Sequence, residues 1–144
     1  MSAPKPVISN VFESSASDRL ARFITQQGIA SNEVIPLTPD ASTRKYYRIG
    51  WKKRTAIAAV YAEPFDPEFH PYLDVTRLFL DCDIPVPEIY AVDGAEGIIV
   101  QEDLGDRQLY QVYADESEEQ CDEYKEEAIA LIAKIQNATT NVRP

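Results

Sequence analysis

Residues 40–44 read Asp40, Ala41, Ser42, Thr43, Arg44, and Lys45 follows. Residues as small as Ala41, Ser42 and Thr43 let backbone N–H groups come close to a phosphate oxygen, and Arg44 and Lys45 add positive charge. Taken alone, the same stretch is an ordinary β-hairpin with a hydrophilic tip. Other reactive groups are sparse. The single histidine, His70, is followed by Pro71 and Tyr72 and suits a helix start. The two cysteines, Cys82 and Cys121, form no CxxC pair and read as structural thiols. They are too few for a disulfide scaffold, and with one histidine they cannot supply the His and Cys ligands of the usual zinc sites. Asp74 and Arg77 stand three apart, the spacing of an ion pair on a solvated helix face.

Chain length and charge narrow the classes. A chain of 144 residues is enough for one domain, or one lobe, with a real core. Its hydrophobic fraction of 44% and charged fraction of 26% are those of a soluble globular protein. The net charge of -10 opposes binding to nucleic acid, whose affinity rests on many Lys and Arg contacts. No apolar run approaches the roughly 18–20 residues that span a bilayer, and the start MSAPKPVISN lacks the apolar core of a signal peptide. The expected compartment is the cytosol. Charge is uneven: Arg44, Lys45, Arg48, Lys52, Lys53 and Arg54 crowd the middle, while eight acids gather between Asp115 and Glu127. The acidic run reads as the solvated start of a helix, where it suits the positive end of the helix dipole, and implies no partner.

The elements that must position these groups follow from periodicity. Ala16, Leu20, Phe23 and Ile24 predict a helix over 15–28, capped by Gly28. Stretches 33–38, 44–50 and 55–62, rich in Val, Ile, Tyr, Thr and Ala, predict three antiparallel strands. After the Pro-rich EPFDPEFHP, Tyr72, Val75 and Phe79 predict a helix running to about Asp81. Two further strands are expected at 86–92 and 97–102 around the turn DGAEG. A long helix is expected from Glu116 to Ala138, with Tyr124, Ala128, Leu131, Ile132 and Ile135 on one face. The fold class is α+β: a five-stranded antiparallel sheet, one helix between strands three and four, and a long trailing helix. Residues 1–14 read as a loose tail.

Three blocks in order, PLTPDASTRKYYRI, PYLDVTRLFLDCDIPVPEIYAVD and IIVQEDLGD, resemble the aminoglycoside phosphotransferase superfamily, nearest to its N-acetylmuramate and amino-sugar anomeric kinases. The resemblance covers residues from about 18 to 138. It implies a protein-kinase-like N-lobe over 15–106, with 107–144 as a linker and the helix that would begin a C-lobe. It implies ATP with Mg²⁺ as cofactor and a sugar or amino sugar as acceptor, bound only with a C-lobe. Ser42, Thr43 and Arg44 would then lie over the nucleotide phosphates. Glu102, Asp103 and Leu104 would form the hinge whose backbone reads the adenine edge.

The chain departs from the family where a strand-three lysine should grip the α- and β-phosphates and pair with an acid on the next helix. Strand TAIAAVYA has no lysine; Tyr61 stands near its place, and Asp74 falls where the acid would sit. No HGD or HxD loop occurs, so the catalytic aspartate and Mg²⁺ ligands that phosphoryl transfer requires are not in this sequence. The expectation is therefore a nucleotide-binding lobe that is catalytically incomplete by itself, continued by a missing C-lobe. The rival reading is a non-catalytic, kinase-derived binding module, or an interaction domain that dimerises through an exposed apolar lobe face.

Overall fold

The structure is a computed structural model that describes residues 15–38 and 42–140. Asp40, Ala41 and the expected tail at 1–14 lie outside the described residues. Helix α1 (Ala16–Gln27) opens with a capping box, Ser15 accepting from the Asp18 amide while Asp18 accepts in return. It ends at Gly28, whose φ of +68° is the left-handed conformation that closes a helix without a Cβ penalty.

Strands β1 (Val34–Pro36), β2 (Lys45–Trp51) and β3 (Arg54–Val60) follow, then helix α2 (Pro71–Asp81), then β4 (Ile89–Asp93) and β5 (Ile98–Glu102). The five strands are antiparallel in the order β1-β2-β3-β5-β4, so α2 carries the chain past β5's place to the sheet edge. The fold is α+β and consistent with a kinase-like N-lobe, with the expected element order from α1 to β5. Strands β1 and β4 are clearly shorter than expected, and β3 and β5 by one residue each. Pro36 closes β1, and Pro85 and Pro87, which lack the N–H for a ladder bond, delay β4 to Ile89.

Register divides the side chains between two faces. Tyr47, Ile49 and Trp51 of β2, Ala56, Ala58 and Val60 of β3, and Ile98 and Val100 of β5 point toward α1. There they pack with Leu20, Phe23 and Ile24, and the Trp51 ring stacks parallel to Phe23 at 6.4 Å. Tyr46, Arg48, Ile57, Ala59, Ile99 and Gln101 point the other way. Helix α2 lies over that second face, since the Tyr72 hydroxyl donates to Gln101 Oε1 at 2.8 Å.

Beyond the sheet, two helices replace the single one expected. A short α3 (Leu109–Asp115) precedes α4 (Glu118–Thr140), with Ser117 between them accepting from the Gln120 amide. The missed helix is too short for its apolar period to stand out from its polar surroundings. Helix α4 starts with Glu118 and Glu119 at its positive end, as the acidic run implied. Its inward stripe is thinner than expected: Cys121 and Ala138 are buried, but Leu131 and Ile132 are exposed. α4 packs chiefly on the neighbouring helices α3 and α2, with Lys134 donating to the Asp83 carbonyl just past the end of α2. Among the described residues no helix is long and apolar enough to cross a membrane.

Candidate functional site

Arg19 on α1 explains how the end of β3 is held. It is 2% exposed, and its guanidinium donates to the carbonyls of Tyr61 at 2.6 Å, Ala62 at 2.9 Å and Glu96. A buried cation is tolerated because these carbonyl dipoles replace its water. Gly97, at φ +66°, leaves room for it; a Cβ there would stand 2.5 Å from the Arg19 Nη1. The Tyr61 amide in turn donates to the Gly97 carbonyl at 2.8 Å, so the Tyr61 backbone is pinned from both sides.

The Tyr61 side chain is thereby set against His70 and Phe65, with centroid distances of 4.6 and 5.2 Å, both edge-on. Phe65 and His70 are themselves 4.2 Å apart. Over the Tyr61 ring sits the Arg44 guanidinium, 5.6 Å from the centroid, a cation–π arrangement. His70 is buried, and its Nδ1 has no hydrogen-bond partner among the described residues. Burial first, then the nearby Arg44 charge, lowers its pKa below the ordinary histidine value, which favours the neutral ring. Burial raises the pKa of the Tyr61 hydroxyl, an effect that Arg44 partly offsets. Sequence reasoning treated His70 as a helix start, which it is, since it caps α2. The aromatic box it completes joins residues from three elements, and no local pattern signals that.

Arg44 belongs to the segment between β1 and β2, where its amide donates to Ser42 Oγ at 3.3 Å. Ser42, Thr43 and Arg44 line a cavity of about 460 Å³ with Pro36, Leu37, Lys45, Tyr46 and Tyr47. Asp74, on α2, is half exposed and its carboxylate accepts from Arg77 at 2.9 Å, the i,i+3 pair that the spacing alone suggested.

The other end of the same sheet face is held by charge. Arg48 forks between two carboxylates, with Nε and Nη2 donating to Asp103 at 2.6 and 3.0 Å and further bonds to Asp106 at 2.9 and 3.1 Å. Asp103 also accepts from Thr55 Oγ1 at 2.8 Å and from the Gly105 amide at 2.9 Å. These bonds, Arg48's foremost, hold the Asp103 carboxyl well below the usual carboxylate range and raise the Arg48 pKa further. The Asp103 side chain therefore organises segment 103–106 and is not available to a ligand. The Glu102 amide donates to the Glu88 carbonyl at 2.8 Å, and its carboxylate accepts from the Glu88 amide at 3.1 Å. Of segment 102–104, this leaves the backbone after Glu102 beside the sheet, with Leu104 exposed. No group of three or more metal-ligating side chains is placed to hold a metal among the described residues.

Comparison with known proteins agrees with this architecture. A curated N-acetylmuramate/N-acetylglucosamine kinase of Pseudomonas aeruginosa is 35% identical over 78 residues, which is 54% of this chain and 22% of that protein. The chain thus spans about a fifth of the length of the curated relative it matches. No solved structure matches. The profile of the phosphotransferase enzyme family matches residues 33–144, taking in every strand of the sheet, the Arg44 and Tyr61 box, the Arg48 and Asp103 clamp and both trailing helices. On that match the chain belongs to the phosphotransferase enzyme family.

Proposed function

We propose that the chain is the nucleotide-binding lobe of a small-molecule kinase that uses ATP with Mg²⁺ and phosphorylates a sugar or amino sugar. Residues 15–106 form the lobe, and 107–144 form the linker and the first helices of a second lobe. What supports the reading is register. Arg44, standing over Tyr61, lies at the end of β3 where Val60 faces Ile98, and segment 102–104 begins where Ala56 faces Glu102. A ligand lying along this face meets a cationic, small-residue segment at one end and extended backbone at the other. Ser42, Thr43 and Arg44 contact the phosphates, and the backbone after Glu102 reads the base edge. Of the β3 side chains between them, Ala59 is buried and the part-buried Ile57 is apolar and suits a flat base.

The sequence holds no HGD-type loop, so the aspartate and Mg²⁺ ligands of phosphoryl transfer are not assigned to it. The amino-sugar acceptor is carried over from the name of the Pseudomonas aeruginosa relative.

Isothermal titration with Mg·ATP tests the reading. The expected outcome is binding that the triple change of Ser42, Thr43 and Arg44 to alanine abolishes. Absence of binding up to millimolar ATP would sink it. A second reading, a dimerising or docking module, draws on the exposed apolar side chains of α3 and α4, among them Tyr110 at 67% and Ile129 at 65%. Concentration-dependent sedimentation would favour it.

A further inference from the structure

We propose that His70 is a proton-operated latch: its neutral ring, packed between Tyr61 and Phe65, holds the start of α2 against the sheet, and protonation releases it. The proposal stands apart from the nucleotide-binding reading and does not depend on it.

His70 is the one histidine of the sequence, and it is 7% exposed. It ties together pieces of chain from either side of the sheet edge. Its ring meets the Tyr61 ring edge-on at 4.6 Å, just past the end of β3, and the Phe65 ring at 4.2 Å. Its backbone starts α2, the His70 carbonyl accepting from the Asp74 amide at 3.1 Å, with Pro71 in the first helical position. The His70 side chain makes no cap hydrogen bond, so the ring serves packing. The Phe65 wall is fixed: its amide donates to the Gly94 carbonyl at 2.9 Å, and a Cβ on Gly94 would stand 2.4 Å from the Phe65 carbonyl oxygen. If the His70 ring moves, that wall does not follow. The first turn of α2 moves with it, and that turn holds Tyr72, whose hydroxyl ties the helix to Gln101 of β5.

The ring is sensitive to protons because the imidazolium carries an N–H on both nitrogens. Nδ1 is buried and has no hydrogen-bond partner among the described residues. Protonation therefore places a positive charge and an N–H donor without an acceptor inside an aromatic box. Of the charged groups that act on the ring, Arg44, from the β1–β2 segment, repels the cation, and Asp74, one turn along α2, attracts it. Asp74 is half exposed and already paired with Arg77, so its pull is screened. The Tyr61 hydroxyl titrates above its ordinary 10.0 and is neutral wherever a histidine titrates. Burial and Arg44 prevail, and the ring takes up its proton below its ordinary 6.5. The latch is thus fully closed above 6.5 and is worked against as pH falls from 6.5 through the folded-state value. Within that window the opening of α2 grows about tenfold per pH unit. The window lies above the acid range in which Asp103 titrates, so the two effects separate.

The test is a nuclear magnetic resonance titration of the full chain from about pH 8 to about pH 5, in which a single histidine gives unambiguous ring signals. Amide exchange, corrected for its intrinsic pH dependence, is followed at Asp74 and Val75 in α2 and at Ala58 and Val100 in the sheet. The ring is expected to titrate below 6.5, with Asp74 and Val75 losing protection about tenfold per pH unit below that point while Ala58 and Val100 keep theirs. His70→Gln and His70→Phe, which cannot titrate, should show no such dependence. Where one variant fails to fold, the other and the native titration decide. A ring that titrates at or above 6.5 overturns the latch. So does protection of α2 that ignores the ring's titration, loss of protection in α2 and sheet together, or the same pH dependence in a folded variant.

Discussion

The two faces of the sheet are made by alternate residues of the same strands, yet they bury different things. Toward α1 lie Ile49, Ala56, Ala58, Val60, Ile98 and Val100, each fully buried, packed on Phe23, Leu20 and Ile24. Toward α2 the same strands present Tyr46, Arg48 and Gln101, with Tyr61 and Tyr72 beside them, side chains that each keep a polar end. The difference separates an apolar core from a mixed face that also carries hydrogen-bonded polar groups. The α1 face gains the free energy of apolar burial, whereas the α2 face combines buried Ala59 and Ile99 with polar groups bonded to one another or to nearby carboxylates, as Tyr72 is to Gln101 and Arg48 to Asp103. Arg19 crosses this division: it comes from α1, yet the backbone it holds is that of Tyr61.

Removing a packed ring from the α1 face should have the largest effect. Phe23→Ala takes away a side chain that is 1% exposed and stacked on Trp51. The expected loss is about 3–5 kcal/mol, measured by denaturant unfolding. A loss below about 1 kcal/mol would mean that the face is not the core.

Arg19→Met comes next, because it keeps the apolar stem and leaves three carbonyls unsatisfied. The expected cost is about 2–3 kcal/mol, accompanied by weaker Mg·ATP binding if the two faces are linked through Tyr61. Equal destabilisation with unchanged affinity would show the faces to be independent.

Asp103→Asn tests the charged end of the α2 face. The expected cost near neutral pH is on the order of 2 kcal/mol, less than for a fully buried pair because water reaches the partner arginine. The pH dependence has a definite sign. The folded-state pKa of Asp103 lies below its ordinary 3.8, so its stabilisation is complete above that value and is lost as pH falls through and below it. The Asn variant should therefore unfold with a shallower acid dependence than the native protein. Identical acid limbs would remove the clamp from the account.

The smallest effect belongs to Asp74→Asn, which breaks a half-exposed pair with Arg77 and should cost under about 0.5 kcal/mol by thermal unfolding.

Much of the fold was readable because its signals are local. The apolar spacing of Leu20, Phe23 and Ile24, the glycine cap at Gly28, the aromatic and Ile residues of β2 and the β-branched run of β5 each announce an element within a few residues. Helix α3 was missed because seven residues carry too little of a helical period to stand out. Leu131 and Ile132 were expected to face inward by period alone, but which part of an apolar face meets a partner depends on the neighbouring elements. The candidate site was legible only in pieces. Segment 42–44 was noticed for its residue types, segment 102–104 only through the resemblance to a hinge, and Tyr61 only because a lysine was expected near its place.

Taken by itself, the sequence determined the element types and their order from α1 to β5, the family blocks that lie on them, and the absence of an HGD-type loop from its 144 residues. Those properties follow from short-range periodicity and residue identity. The tertiary structure decided that β5 inserts between β3 and β4, that Arg48 spans more than fifty residues of chain to hold Asp103, and that Arg44 rests on Tyr61 beside His70. These are contacts between groups far apart in sequence, and their geometry is set by strand register and by the packing of α1 and α2 on opposite faces of one sheet.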